Sequence, residues 1–382
     1  MRYMLFQRSC RLIIDCKTKS HAERSFQTFA RANSNCHLLL RNVIVAGRNN
    51  NTVTGINFNT CSYFLKTKYQ TNNPKHLKSS KMSNHRPTDR TKSGWADFEK
   101  YSVFARSISG LETSVVVKSD DLSLAFDMGY SAKESVKCKN VFISHGHMDH
   151  ISAIPQHVGK RSLYGMPNAR YYVPSHLVDD LKSVCDLYSK ISGNPRALNE
   201  IEILPCGDHD TVNFTSKYTM KAFPTIHRVK SQGYILYHHK KSLKAEYQDL
   251  DGKTIGEMVK SGETIHDIIT TPDVAFTGDT TFDIFKNVTN PDLLRVKILI
   301  AESTYIDKEP NKDMIKLAQD RGHTHLQEFI DNEHLFRDIQ HIVLIHFSDK
   351  YSSNYIKRVV YSSLPDSLID KVVVSTYAKD IP

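Results

Sequence analysis

The stretch FISHGHMDHISAIP, Phe142 to Pro155, places three histidines and an aspartate within six residues, directly behind an apolar run. Imidazole nitrogen and carboxylate oxygen are ligands that zinc takes, and they must converge on one point. His145 and His147, two residues apart, can point the same way from extended chain. Asp149 and His150 follow where the chain turns toward a helix, so they can face a second point. One hexapeptide can then supply two ligands to each of two neighbouring metals. Gly146 is expected to permit the tight backbone that such crowding needs. The pattern His-x-His-x-Asp-His behind an apolar strand is much more specific than a histidine-rich surface loop.

A two-metal centre needs further ligands, a bridge among them, and these should sit at other strand ends. His227 follows YTMKAFPTI, Asp279 follows VAFTG and His346 follows HIVLI. Alone, each reads as an ordinary loop residue. Together they complete a set of five histidines and two aspartates, in which the Asp279 carboxylate could bridge.

Elements must hold these residues together. From about Trp95 onward, short apolar runs rich in β-branched and aromatic residues predict strands: TSVVVKS, LSLAFDMG, KNVFISHG, ARYYVPS, IEILPCGD, YTMKAFPT, GYILYHHK, DVAFTGDT, VKILIAEST, HIVLIHFSD and KVVVSTY. Helical patterns lie between some of them, in SHLVDDLKSVCDLYSKI, KTIGEMVKSG, NKDMIKLAQDRG, HLQEFIDNEHLF and SNYIKRVVYSSL. Strands with interleaved helices predict an α/β layered domain whose strand-end loops carry function. No internal repeat is visible.

The 382 residues carry a net charge of +10, placed unevenly. Residues 1–92 hold 17 Lys and Arg against 3 acids, and the remainder holds 34 against 38. The basic pI therefore describes the N-terminus and is no sign of a nucleic-acid surface on the body. Residues 1–48 have the Arg- and Ser-rich, acid-poor composition of an organelle-targeting segment, which would form a basic amphipathic helix including Leu5, Ile13 and Phe26. A mitochondrion is the expected destination; a plastid-type organelle, the nucleus and the cytosol are alternatives. Residues 49–93, polar and rich in Asn, Thr, Ser and Lys, read as a disordered linker, and Met82 could serve as an internal start. Seven scattered cysteines without a Cys-x-x-Cys pair favour free thiols. No apolar run approaches the length of a membrane span.

SHGHMDH with GDT and a late histidine resembles the metallo-β-lactamase superfamily. FDMG, FISHGHMDHISAIP, FPTIHRVKSQGY, VAFTGDTT, ESTYID, RGHTH and LIHFSDKY, in that order over about residues 95–380, resemble ribonuclease Z, the tRNA 3′-processing endoribonucleases, in their short plant-type form. The resemblance implies a four-layer αβ/βα fold in one domain over 94–382, and a homodimer. It implies an enzyme that removes the 3′ trailer of precursor tRNA and leaves a 3′-hydroxyl.

By motif match, His145, His147 and His227 hold one Zn2+ and Asp149, His150 and His346 a second, with Asp279 bridging. Two metals per chain would stabilise both the attacking and the leaving oxygen of phosphoryl transfer. Asp149 can also orient the attacking water or take its proton. Asp127 in FDMG matches an aspartate that supports the ligand loop from behind. Glu302 and His323 match a carboxylate–imidazole pair that protonates the leaving ribose oxygen, and His325 in the same motif is not the aligned histidine. Ser348 and Lys350 could hold a neighbouring phosphate, although Lys lacks the fork of the family's usual Arg. Residues from about 238 to 270 occupy the place of the family's substrate arm and read as a short, helical, charged insertion without a Gly-Pro tip. Lys160 and Arg161 could touch RNA by charge alone.

Two other functions compete. One is a hydrolase of the same fold acting on a thioester, a lactam or a small phosphodiester; a good leaving group would have no use for Glu302 and His323. The other is a non-catalytic RNA-binding scaffold, which should have lost metal ligands, whereas all seven positions are filled.

Overall fold

The computed structural model describes residues 2–7, 10–15, 93–193, 201–287, 290–307 and 312–381. The N-terminal unit is described only by a hairpin of β1 (Arg2–Gln7) and β2 (Cys10–Asp15), with Arg2 opposite Asp15. This corrects the amphipathic helix expected there. RYMLFQ and CRLIID are rich in aromatic and β-branched residues, which favour extended chain. The rest of the targeting segment and nearly all of the linker, Met82 included, lie outside the described residues.

Two seven-stranded sheets make up the body, each ordered as the chain runs. The first contains β3 (Trp95–Asp97), β4 (Ser102–Ile108), β5 (Glu112–Lys118), β6 (Ser123–Phe126), β7 (Asn140–Phe142), β8 (Arg170–Pro174) and β9 (Glu202–Cys206). The second contains β10 (Thr211–Asn213), β11 (Tyr218–Thr225), β12 (Ser231–Leu243), β13 (His266–Phe276), β14 (Ile298–Glu302), β15 (His341–Ile345) and β16 (Val372–Val374). Both follow one plan: three antiparallel pairings, then three parallel ones. All eleven predicted strands form; β3, β4 and β10 are additional.

The layers follow from the period-two alternation of strands. Val115, Val117 and Phe126 meet Tyr234, Val274, Phe276 and Ile300 in a core between the sheets. Phe126 stacks on Phe276 across that core, with ring centres 4.7 Å apart. The alternate residues Val116, Ala125, Val141 and Ile143 face outward onto α2 (Ile154–Leu163) and α3 (Val178–Ser192), which come after the one-turn α1 (Met148–Ile151). On the other side, Ile235, Ala275 and Leu299 face outward into a third core. Helices following α4 (Gly252–Lys260) supply its other wall: α5 (Asp283–Lys286), then, after α6 (Lys312–Asp320), α7 (Leu326–Asp331) and α8 (Ser353–Ser363). Three stacked apolar cores make four layers, as expected.

The insertion near 238–270 is less helical than expected. β12 and β13 stay paired out to Leu243 and His266, so the arm is an extended ribbon that carries α4 at its end. Asp251 caps α4, accepting from Lys253 N at 2.9 Å and Thr254 N at 3.1 Å. Arg161 is corrected as an RNA contact. It is buried on α2, and its guanidinium donates to the carbonyls of Val136, Cys138 and Pro167. Its neighbour Lys160 donates to Ser131 O at 2.5 Å.

Candidate metal centre

The seven proposed ligands come from the C-terminal ends of strands in both sheets, where open α/β sheets place ligand crevices. The β7 loop and α1 bring His145, His147, Asp149 and His150. The β11–β12 turn brings His227, and the ends of β13 and β15 bring Asp279 and His346. The donor atoms fall into two overlapping groups that could each hold an ion. One is His145, His147, His227 and Asp279; the other is Asp149, His150, Asp279 and His346. Asp279 is common to both, with Oδ2 3.3 Å from His150 Nε2 and Oδ1 3.3 Å from His346 Nε2.

Proton accounting tests whether this geometry fits a cation. The Ser144 hydroxyl donates to Asp127 at 2.8 Å, so its contact with His145 Nδ1 at 3.0 Å requires that imidazole to be the donor. His227 Nδ1 donates to the Gly322 carbonyl at 2.7 Å. Both Nε2 atoms therefore offer lone pairs, and they lie 3.0 and 3.2 Å from the same atom, His147 Nδ1. A proton on His147 Nδ1 would have to be shared between two acceptors, whereas a cation among the three nitrogens would satisfy all of them at once. His150 gives the same result at the second group. Its Nδ1 donates to Asp127 at 2.6 Å, and its buried Nε2 has no hydrogen-bond partner. The residues fit two cations.

Electrostatics agrees. Burial, with His150 alongside, holds His145 well below the ordinary imidazole range, and burial with His227 alongside lowers His147. Burial also lowers His227. These three are neutral donors at neutral pH, as a metal ligand must be. Burial opposes charge on His150, but Asp279 and Asp127 outweigh it and raise this imidazole well above its usual range. At the second group a proton on His150 thus takes the place of positive charge that a cation would supply, and an ion binding there must displace it. Asp149 and Asp279 resist the upward push of burial and lie far below the carboxylate range, because His150 and His346 face them.

Fixed backbone holds the shell. Asp127 directly follows β6 at φ 55°, and His346 directly follows β15 at φ 62°. Buried Asp127 accepts from Ser144 N at 2.7 Å as well as from Ser144 Oγ and His150, so one carboxylate ties β6 to the ligand loop. Gly146 acts by close packing, with no positive φ: a Cβ there would approach Leu177 Cδ2 to 3.0 Å.

Glu302 ends β14 beside the centre and lies 2.9 Å from His323 Nδ1. Burial works against charge on His323, yet Glu302 lifts it to about 9. Thr304 links this pair to the ligands. Its hydroxyl donates to Glu302 at 2.6 Å, and the same oxygen lies 3.1 Å from His346 Nδ1. His325 instead caps α7, accepting from Gln327 N. Ser348 is half-buried and fixed by its amide to Thr304 O at 3.0 Å. Lys350 is at the rim, paired with Asp307 at 3.2 Å over the rings of Tyr305 and Tyr351. The sequence reading missed Ser144, Thr304 and the Gly110 amide, which donates to Asp149 Oδ2 at 2.8 Å.

Two mixed sheets face to face, helices outside and a histidine–aspartate centre across their strand ends define a protein of the metallo-β-lactamase fold. No protein-family model matches the chain. It is 37% identical over 278 residues to tRNase Z TRZ1 of Arabidopsis thaliana, covering 73% of this chain and 96% of the relative. It is 33% identical over 264 residues to that plant's chloroplastic tRNase Z TRZ2, covering 69% and 72%. A nuclear ribonuclease Z of Triticum aestivum is 33% identical over 178 residues, covering 46% of this chain and 96% of its own. On these relatives, the chain belongs to the tRNase Z family. Among solved structures, the short form of human tRNase Z matches with a TM-score of 0.46 at 16% identity, covering 72% of this chain and 95% of its own. The YhfI protein of Bacillus subtilis gives 0.46 at 14%, covering 74% and 98%.

Proposed function

We propose that this protein is the zinc-dependent endoribonuclease that cuts the 3′ trailer from precursor tRNA and leaves a 3′-hydroxyl on the tRNA. One observation supports the reading beyond family membership: a hydrogen-bonded carboxylate–imidazole pair, Glu302 and His323, stands beside the side chains that could hold metal ions. Hydrolysis of an RNA phosphodiester expels a ribose alkoxide, which needs a proton as the bond breaks. A thioester or an activated phosphodiester has no such need.

His145, His147 and His227 would hold one zinc, Asp149, His150 and His346 the other, with Asp279 between. Bound there, the ions supply Lewis-acid charge to the phosphoryl oxygens and ease the deprotonation of water near neutral pH. The chain's own residues do the rest. Asp149, fixed by the Gly110 amide, orients the attacking water. His323, protonated at neutral pH through Glu302, delivers a proton to the leaving 3′ oxygen. Ser348 and Lys350 flank the neighbouring phosphate, with Lys350 exchanging Asp307 for it.

Precursor tRNA is the proposed partner. The arm holds five lysines against six acids over 238–270, but Lys240 and Lys241 on β12 and Lys244 directly after it gather at one end of that sequence, and the acids all lie beyond them. A homodimer is also proposed. An apolar face on α2 and α3, with Leu163, Leu187, Tyr188 and Ile191 exposed, borders a cleft of about 740 Å3 that does not reach the metal ligands. One relative is named chloroplastic and another nuclear, and the basic N-terminus supports import into an organelle, the mitochondrion first.

The test incubates the zinc-loaded chain, and its Asp149→Ala variant, with a trailer-bearing precursor tRNA and with unstructured RNA of equal length. A single cut at the end of the acceptor stem, lost in the variant and absent from the unstructured RNA, supports the reading. Bound zinc without RNA cleavage sinks it and favours thioesters or small phosphodiesters. No bound metal favours a scaffold.

A further inference from the structure

Among the described residues, Asp273 is a fully buried carboxylate outside the metal centre, and it lies at the root of the arm. Register along β12 and β13 runs Leu236 opposite Val274, then Tyr237 opposite Pro272. Asp273 is the extra residue of a bulge, where an antiparallel ribbon bends and twists. Toward Val274 the ribbon is part of the core between the sheets; past Pro272 it leaves as the arm. Asp273 is fully buried, and four side chains donate to it from three places. Tyr101 OH at 2.6 Å and Lys100 Nζ at 3.2 Å come from the β3–β4 turn of the other sheet. Lys297 Nζ at 2.8 Å comes from the start of β14, and Thr271 Oγ1 at 2.9 Å from its own strand. His238, the next residue out on β12, lies 3.9 Å away.

A buried charge is tolerated only when paired and hydrogen-bonded, and breaking such a set leaves the remaining partners uncompensated. Burial pushes Asp273 upward, but the bonds from Lys297 and Tyr101 hold it below the usual carboxylate range. No proposed metal ligand belongs to the cluster, although Asp279 follows Asp273 by six residues along the chain, and the catalytic scheme makes no use of it.

We infer that Asp273 is a positioning residue that clamps the root of the arm, fixing the direction in which the ribbon projects and so how precursor tRNA is held. The inference rests on the tRNA-processing reading, with the arm as a substrate-docking element. Neutralising Asp273 loosens the bulge and lets the ribbon swing, while the ligand loops at the far ends of the same strands stay fixed.

The experiment compares wild type, Asp273→Asn and Lys297→Met as zinc-loaded full-length proteins. Steady-state cleavage of precursor tRNA, hydrolysis of bis(p-nitrophenyl) phosphate and amide hydrogen exchange are measured. Asp273→Asn is expected to raise KM for precursor tRNA by about tenfold, with kcat and small-phosphodiester hydrolysis within about twofold. Exchange should accelerate across 238–243 and 266–272 and stay unchanged across 142–150 and 344–348. A parallel fall in both activities would show a merely structural role and overturn the inference, as would an unmoved KM. Lys297→Met, at the half-exposed side of the cluster, carries the same expectation if Asp273→Asn does not fold. If wild type cleaves no precursor tRNA, the functional reading fails by itself, and the exchange comparison still decides whether Asp273 clamps the ribbon.

Discussion

Asp127 Oδ2 lies 2.6 Å from His150 Nδ1, and this contact decides which nitrogen of His150 faces the metal centre. A carboxylate behind a ligating imidazole fixes its tautomer and raises its basicity. Asp127→Ala is expected to weaken zinc binding by about 10- to 100-fold. Competition against a chelating dye would measure this, and excess zinc should restore much of the cleavage rate. Unchanged zinc affinity would remove Asp127 from this role.

His323 and Glu302 should act as one unit. His323→Ala and Glu302→Gln are each expected to lower kcat on RNA by roughly 10²- to 10⁴-fold, the range of general acid catalysis. The double variant should lose little more than either single one. Hydrolysis of bis(p-nitrophenyl) phosphate, whose leaving group needs no proton, should fall far less. Equal losses on both substrates would count against the proton-donor role.

A third expectation concerns acid stability and lies away from the centre. His157 on α2 is buried, donates through Nε2 to Ser135 O at 3.0 Å and accepts from Tyr171 OH at 2.5 Å. Burial lowers it to about 4 from the ordinary 6.5. Below pH 6.5 the unfolded chain takes up a proton that the folded chain refuses. The contribution of neutral His157 is therefore complete above pH 6.5 and is lost as pH falls toward 4, by about 3 kcal/mol in all. His157→Gln should flatten that part of a denaturation-versus-pH curve, and an unaltered slope would refute the assignment.

Gly322 offers a fourth test. It sits at φ 75°, its carbonyl orients His227, and a Cβ would fall 2.6 Å from His227 Nδ1. Gly322→Ala is expected to cost about 1–3 kcal/mol of stability and to weaken zinc binding at the site that contains His227. Metal titration with equilibrium denaturation checks both. Full occupancy of both metal positions at wild-type affinity would contradict the expectation.

The apolar runs predicted eleven strands because fully buried strands advertise themselves as β-branched stretches. β3 and β4 were harder to see: WAD and SVFARSI mix polar groups with the apolar ones. The seven ligand candidates were legible because each follows such a run, and the structure brings all seven together. Ser144 and Thr304 were not, since a hydroxyl becomes a linker only once packing sets Asp127, Glu302 and His346 around it. Arg161 shows the converse. A basic residue reads as surface by default, and only the fold supplies the three carbonyls that make its burial tolerable.

The repeated strand plan of the two sheets has a consequence for how the centre can be assembled. β6 and β13 are the fourth strands of their halves, and they lead directly into Asp127 and the loop of Asp279. The first half contributes His145, His147, Asp149 and His150; the second contributes His227, Asp279 and His346. Neither inventory closes either metal group alone. The centre is thus a seam, and a chain divided between β9 and β10 would yield two inert fragments whose catalytic activity, once they are mixed, would read out their reunion.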